Sequence, residues 1–374
     1  MRVLICPDKF AGTLSAPEVA ASVAAGWRSA APDDDVVVRP LSDGGPGFLH
    51  VIETAVRAWR IPVAACDPLG RPVHADVLLV GETAYLECAQ TCGLHLLAPE
   101  ERNPKITTSY GLGLTMIAAI ESGARRVVVG LGGSAINDCG AGMLAALDAP
   151  PLDAAGFALP YGGAALADCA RLGGVPRLRG AELVAATDVD NPLTGPLGAS
   201  AVFGPQKGAS RSDVVLLDAA LTHFSDVLEE QVPGCPAGLA GLPGAGAAGG
   251  LGAALLALGG RRESGYALVR ALTGFDAEVA DTDVVITGEG SFDSQSLRGK
   301  VVSGVAETAR GRGIPCLVVA GVVSAGQRDA EQVGVTRAYA LDQHMGSLGE
   351  ALRRPAEGLR SLGARLAGEW GRRP

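Results

Sequence analysis

The sequence predicts an α/β protein of two domains: a Rossmann-like parallel-sheet domain formed by both chain ends, and a mixed α/β domain inserted between them. Three observations carry this. Both ends alternate short apolar runs with helix-period segments, the signature of strand–helix–strand units and a parallel sheet. The middle breaks into short apolar runs punctuated by Gly, Pro and charge, which suits a mixed sheet. The length of 374 residues fills two to three domains of ~100–200 residues each. We expect residues 1–65 and 280–374 to form the first domain and 66–279 the second.

The elements follow in order. Residues 2–6 form a buried strand ending at Pro7-Asp8. Ser15-x-x-Glu18 is a capping box that opens a helix running to Trp27. Val36–Val38 is a second strand, followed by Ser42-Asp43-Gly44-Gly45. Residues 63–97 suit mixed or antiparallel strands, and Thr107–Ser122 a helix stopped by Gly123. The strand Val127–Val129 runs into Gly130-Leu131-Gly132-Gly133-Ser134-Ala135-Ile136-Asn137-Asp138. Residues 150–180 read as connection. The strand Leu183–Thr187 ends at Asp188-Val189-Asp190, Ser212–Glu230 is an amphipathic helix, and the glycine run 244–252 opens the helix Ala253–Leu258. Asp283–Thr287 is a strand leading to Gly288-Glu289-Gly290. A helix over Lys300–Arg310, strands over Pro315–Ala320 and Arg337–Leu341, and a last helix over Leu348–Trp370 complete the chain.

Composition narrows the function. The chain is 48% hydrophobic and 19% charged, so it buries a sizeable core. A net charge of −9 argues against a nucleic-acid partner. No apolar run reaches the ~18 residues of a membrane span, and the first residues do not read as a signal peptide. The eight cysteines are scattered without metal or disulfide spacing, as expected of reduced thiols in a cytoplasmic protein. Oligomeric state stays open between monomer and homodimer.

Of 31 basic residues only Lys9, Lys105, Lys207 and Lys300 are lysines, and all four lie beside Gly or Pro turns. A chain so biased to Arg that keeps Lys at such places points to a need for a compact point charge. Acids collect where parallel strands end: Asp8, Asp43, Asp188, Asp190, Glu289 and Asp293. Ligands of open parallel sheets bind there. Carboxylates beside exposed backbone suit Mg²⁺, which takes one or two carboxylates plus waters and phosphate oxygens, or they accept a proton from a substrate hydroxyl. Gly130-x-Gly132-x-x-Ala135 fits a dinucleotide fingerprint, but the acid-bearing strand expected ~20 residues later is missing. That segment and Gly244–Gly252 place bare backbone N–H groups at expected helix starts, where anions bind, although close glycine packing explains them as well. There is no P-loop and no G-x-S-x-G. Acids at strand ends, glycine loops and isolated lysines fit phosphoryl transfer, which needs positioning and charge neutralisation.

These motifs, in order, resemble the bacterial glycerate kinase family of the glycerate 2-kinase type, over nearly the whole chain. The blocks are Cys6-Pro-Asp-x-Phe-x-Gly12, Leu41-x-Asp-Gly-Gly-x-Gly47, Glu101-Arg-Asn-Pro104 with Thr107-Thr-x-Tyr-Gly111, and Gly132-Gly-Ser-Ala-x-Asn-Asp138. They continue with Asp188-Val-Asp-Asn-Pro192, Phe203-Gly-Pro-Gln-Lys-Gly208, Gly244–Gly252 and Thr287-Gly-Glu-Gly-x-x-Asp293 through Gly299-Lys300. The resemblance implies ATP- and Mg²⁺-dependent phosphorylation of D-glycerate to phosphoglycerate and ADP, the 2-phospho product ahead of the 3-phospho product, with the active site expected in the cleft between the two domains.

On that reading Asp190, Asp188, Lys207 and Lys300 are the expected catalytic residues. Asp8, Lys9, Asp43, Gly44, Gly45, Ser134, Asn137 and Asp138 are expected to bind the acceptor. Gly132, Gly133, Gly246, Gly249, Gly250, Gly288, Glu289 and Gly290 are expected to bind ATP, and Glu289, Asp293 and Asp190 to bind Mg²⁺. Two departures stand out: Ala11 replaces the family's usual Lys and Pro46 its usual Glu, as if an ion pair between adjacent turns had been removed whole. A non-catalytic or altered-specificity member binding another small hydroxy acid is the alternative reading, and a nicotinamide oxidoreductase on the Gly130 loop is a third.

Overall fold

The structure, a computed structural model, describes residues 1–297 and 301–371. In chain order its strands are β1 (Arg2–Ile5), β2 (Asp35–Val38), β3 (Trp59–Cys66), β4 (Pro72–Val80), β5 (Thr83–Glu87), β6 (Arg126–Gly130), β7 (Pro151–Leu152), β8 (Arg171–Leu172), β9 (Glu182–Ala186), β10 (Arg261–Glu263), β11 (Val284–Phe292), β12 (Cys316–Val323) and β13 (Arg337–Ala340). They fall into two compact units. The first comprises residues 1–43, 50–56 and 266–374; the second comprises 44–49 and 57–265.

The first unit is built on a five-stranded sheet in the order β13-β12-β11-β1-β2, with every pairing parallel. Counted within the unit this is the doubly wound order 2-1-3-4-5, whose direction reverses between β1 and β11. The helix Ala16–Ala30 starts where Ser15 N donates to Glu18 Oε2 at 2.8 Å. It packs on the helix Pro355–Trp370 so closely that a Cβ on Gly26 would meet Arg360 O at 1.9 Å. Trp27, Val3, Ile286, Leu317, Leu359 and Leu362 fill the space beneath, each large side chain contributing about 1.5–3 kcal/mol by leaving water.

The second unit carries a six-stranded sheet in the order β10-β9-β6-β5-β4-β3. β10, β9, β6 and β5 run parallel; β4 and β3 add antiparallel. One core, including Leu86, Leu112, Met116, Val127, Val129, Leu183 and Leu251, lies against this sheet. A further cluster around Leu144, Leu221, Phe224 and Leu228 sits under the helix Arg211–Gln231.

Several elements differ from the sequence expectation. The strand begun at Asp283 continues to Phe292, because β12 pairs with it as far as Val323. The last helix divides into Leu348–Arg353 and Pro355–Trp370: Pro355 has no N–H to continue the first and is suited to open the second. Residues 150–180 contain the short β7–β8 ladder and a 3₁₀ turn over Gly163–Asp168. β3 runs antiparallel to β4, so residues 57–65 belong to the second unit, whereas the helices Gly265–Leu272 and Phe275–Ala280 fall almost wholly in the first.

Candidate functional site

In the first unit the chemistry gathers at the carboxyl ends of the strands. After β1 the backbone of Asp8 donates to Gly288 O at 2.8 Å, tying this turn to β11. Lys9 N donates to Asp8 Oδ1 at 2.7 Å, and Lys9 Nζ lies 3.5 Å from that oxygen and 3.7 Å from Asp43 Oδ1. Asp8, Lys9 and Asp43 thus form one cluster. They share a cavity of about 410 Å³ with Phe10, Ala11, Glu289, Gly290, Asp293 and an apolar flank that includes Leu341, Leu348 and Leu352. It lies at the reversal of strand order, where open α/β sheets bind their ligands.

Burial pushes the Asp8 carboxyl up to about 6; Lys9 opposes the rise and Asp43 adds to it. Asp8 is therefore an acid that changes charge close to neutrality while lining a cavity. Asp293 Oδ1 accepts from Gln295 N at 2.7 Å, so one of its oxygens shapes its own turn. A Cβ on Gly288 would meet Val319 O at 2.1 Å, which makes that glycine a requirement of sheet packing. Lys300 lies outside the described residues.

In the second unit the focus is the loop after β6. It does not open a helix, contrary to the sequence expectation: ten residues, Leu131–Gly140, pass before the short helix Ala141–Ala146. The dinucleotide fingerprint therefore lacks the helix start it needs. Lys207, at the end of the 3₁₀ turn Pro205–Lys207, projects into this loop and is only 2% exposed. Its Nζ donates to Ile136 O at 2.6 Å and Ser134 Oγ at 3.2 Å. Burial lowers its pKa to about 8, against the opposing pull of Cys88, Asp138 and Cys92. Asn137 Nδ2 donates to Ser200 Oγ at 2.9 Å, while its Oδ1 is buried without a hydrogen-bond partner among the described residues. Lys207, Ser134 and Asn137 are thus brought together.

Asp138 is different. It is fully buried, and its oxygens accept from Ser109 N and Oγ, both at 2.8 Å, and from Gly140 N and Gly142 N, both at 3.2 Å. Ser109 Oγ also accepts from Met143 N at 2.9 Å. Asp138 is a brace for the loop, with its acceptor capacity turned inward rather than toward a ligand. Ser109 and Ser200, the partners of this network, carried no sequence signal, being single hydroxyls without a motif of their own.

The remaining residues are placed as follows. A Cβ on Gly249 would meet Ile136 O at 2.0 Å, on Gly250 Cys139 Cα at 2.8 Å, and on Gly246 Pro192 O at 2.1 Å. These glycines let backbone pack on backbone, and the helix they precede, Leu251–Ala257, is only seven residues long. Close glycine packing, the other explanation open to this segment, accounts for their presence. Gly132 and Gly133 likewise receive the Gly44-Gly45-Pro46 turn: their Cβ atoms would meet Gly45 Cα at 2.4 Å and Pro46 Cγ at 2.7 Å. Asp188 is partly buried after β9, and Asp190 is exposed, ion-paired with Arg262.

Among the described residues no group of three or more His, Cys, Asp or Glu gathers as a metal cage. Mg²⁺ does not need one: it keeps several waters and binds through one or two carboxylates plus substrate phosphates. The oxygen-only donors Glu289 and Asp293 beside the cavity, and Asp188 and Asp190 after β9, fit that chemistry. Among the described residues no helix is long and apolar enough to cross a membrane.

A doubly wound sheet with a charged cavity at its strand-order reversal defines a small-molecule α/β enzyme. Comparison with known proteins says which. The family model described as "Glycerate kinase family" matches residues 3–371. The glycerate kinase of Bacillus subtilis (strain 168) is 40% identical over 363 residues, covering 96% of this chain and 94% of that protein. The glycerate 2-kinase of Escherichia coli (strain K12) is 40% identical over 359 residues, covering 94% and 93%. The crystal structure of a protein assigned as glycerate kinase 2 from Salmonella typhimurium LT2 superposes with a TM-score of 0.81 at 36% identity, covering 99% of this chain and 98% of that one. The chain belongs to the glycerate kinase family. The resemblance carried by the ordered motifs is borne out, and with it a kinase acting on a small molecule, glycerate.

Proposed function

We propose that this protein transfers the γ-phosphoryl group of ATP to the 2-hydroxyl of D-glycerate, giving 2-phosphoglycerate and ADP. The observation that carries the reading is the Asp8–Lys9–Asp43 cluster at the strand-order reversal. It supplies a carboxylate whose pKa lies near neutrality beside a fixed cation. Asp8 accepts the proton of the attacking hydroxyl; an acid with a pKa near working pH suits this task. Lys9 and Asp43 hold Asp8 and the acceptor in place. Lys207, with Ser134 and Asn137, offers a desolvated cation to the acceptor carboxylate or the transferring phosphate, where low dielectric makes each charge count most. Lys300 is proposed for the same neutralising work.

Glu289 and Asp293, or Asp188 and Asp190, would hold Mg²⁺, which would supply charge neutralisation at the phosphate oxygens. The choice of the 2-hydroxyl follows the name of the E. coli relative. Mixing MgATP with D-glycerate should release ADP, and ¹³C NMR of the product should show phosphate on C2. Phosphate on C3 would overturn the regiochemistry. ATP binding without ADP release would favour a changed acceptor, a reading to which Ala11, in the cavity wall where the family carries Lys, lends support.

A further inference from the structure

The cavity of the first unit is too large and too apolar for a three-carbon acid alone. At about 410 Å³ it falls in the range of ~300–1,000 Å³ that holds cofactor-sized ligands, whereas glycerate needs roughly 100 Å³, a few times the ~30 Å³ share of a water. Its lining is also sorted. The strand order is β13-β12-β11-β1-β2. Leu341 follows β13, and the helix Leu348–Arg353 after it gives Leu348, Ala351 and Leu352. Gly321 and Val322 come from β12, Glu289 and Gly290 from β11, Asp8 and Lys9 follow β1, and Asp43 follows β2. Apart from Phe10 and Ala11 after β1, the lining thus passes from apolar to charged across the sheet. Four strand spacings of ~4.8 Å make the sheet ~19 Å wide, long enough to take an extended nucleotide.

Leu348 and Leu352 sharpen the point. They lie four residues apart on one face of a short helix, and they are 48% and 55% exposed. Two large apolar side chains left in water at the rim of one cavity form a surface suited to a flat, apolar face.

We infer that the nucleoside of the phosphoryl donor binds across the carboxyl ends of β13 and β12, its base against Leu341, Leu348 and Leu352, with its phosphates directed along the sheet toward Lys9. This deepens the kinase reading and rests on it for the direction of the phosphates. The acidic end, with Asp8, Asp43, Glu289 and Asp293, repels a bare polyphosphate, so binding to the apolar end is what brings the donor in.

The test uses the full chain and the variants Leu348→Asp, Leu352→Asp and Leu352→Met, with adenosine as the probe that carries no phosphate. Calorimetric titration should show adenosine binding to the unaltered chain and to Leu352→Met, and no binding to either Asp variant. In steady state the KM for ATP should rise about tenfold in the Asp variants, while the KM for D-glycerate stays within twofold. Inorganic tripolyphosphate, which has no base to seat on the apolar end, should inhibit far more weakly than ADP, and equally weakly in the unaltered chain and in Leu352→Asp. An ATP KM unmoved in both Asp variants, or adenosine binding that ignores them, overturns the inference. Turnover with an unmoved ATP KM leaves the kinase reading standing and removes only this site; variant-sensitive adenosine binding without turnover removes the glycerate reading and leaves the site. Both leucines are exposed, and equal melting temperatures would confirm that the variants fold.

Discussion

Lys9 and Lys207 show how differently the two units handle one kind of charge. Lys9 stands in a cavity between two carboxylates, its side chain 20% exposed. Lys207 is buried on a carbonyl and a hydroxyl, neutral acceptors that relieve its desolvation only in part. The first arrangement perturbs its neighbour, Asp8; the second perturbs the lysine itself. A buried charge hydrogen-bonded only to neutral acceptors among the described residues detracts from stability, so its presence at a family motif is a mark of use rather than of architecture. An ion-paired lysine carries no such mark, because structural pairs are common.

Four predictions press on this contrast. The largest effect is expected of Lys207→Met, which replaces the buried charge by an apolar chain of similar length. Turnover should fall ~10²–10³-fold, as for loss of a preorganised electrostatic contact. The melting temperature at pH 7 should hold or rise, since the desolvated charge is gone. Steady-state kinetics and calorimetry read the two together, and a fallen melting temperature with unchanged kcat would make Lys207 a structural residue.

Asp8→Asn should follow, with turnover down ~10²-fold, the typical share of a general base. Its stability effect has a definite sign. The folded pKa of Asp8 is raised, so its contribution is intact below the ordinary value of 3.8 and is lost as pH rises through about 6. The Asn variant should therefore be more stable than the parent at pH 7.5 and level with it near pH 3.5, by denaturant titration at both pH values.

The pH profile of kcat/KM brings both units into one curve. Ionisation of Asp8 should give an acid limb near 6, and loss of the Lys207 proton a basic limb near 8. Because the Lys207 pKa is depressed, stability owed to its neutral form is present above the ordinary 10.5 and is lost as pH falls through about 8. Lys207→Met should remove the basic limb and leave the acid one. The smallest effect is expected of Lys9→Met: Lys9 holds the Asp8 pKa down, so the acid limb should move upward by about one unit. A limb that stays put would detach Lys9 from Asp8.

Legibility in the sequence varied with the range of the interaction involved. The end of β1 was readable because its apolar run stops at Pro7-Asp8, and a parallel sheet directs chemistry there; the stop at Gly288-Glu289 was not an end, because β12 pairs with β11 on to Phe292. The lysines were readable because this chain uses so few. That Asp138 braces its loop and the glycines at 246, 249 and 250 pack backbone on backbone was not readable, because a motif records that a residue is needed and not which neighbour needs it. Leu348 and Leu352 were invisible: two leucines in a helix-period segment read as core, and only the fold shows them bordering a cavity in water.

The sequence by itself determined the alternation of strand and helix, the acids at the strand ends, the rarity of lysine and the family. Each is local, set by periodicity, turn chemistry or ordered motifs along the chain. Tertiary structure alone decided that Asp8 and Lys9 would meet Asp43, that Lys207 would be buried against Ser134 and Ile136, and that an apolar rim would border a charged floor. Those facts depend on strand order and burial, which bring together residues far apart in the chain and set the solvation that fixes their charge.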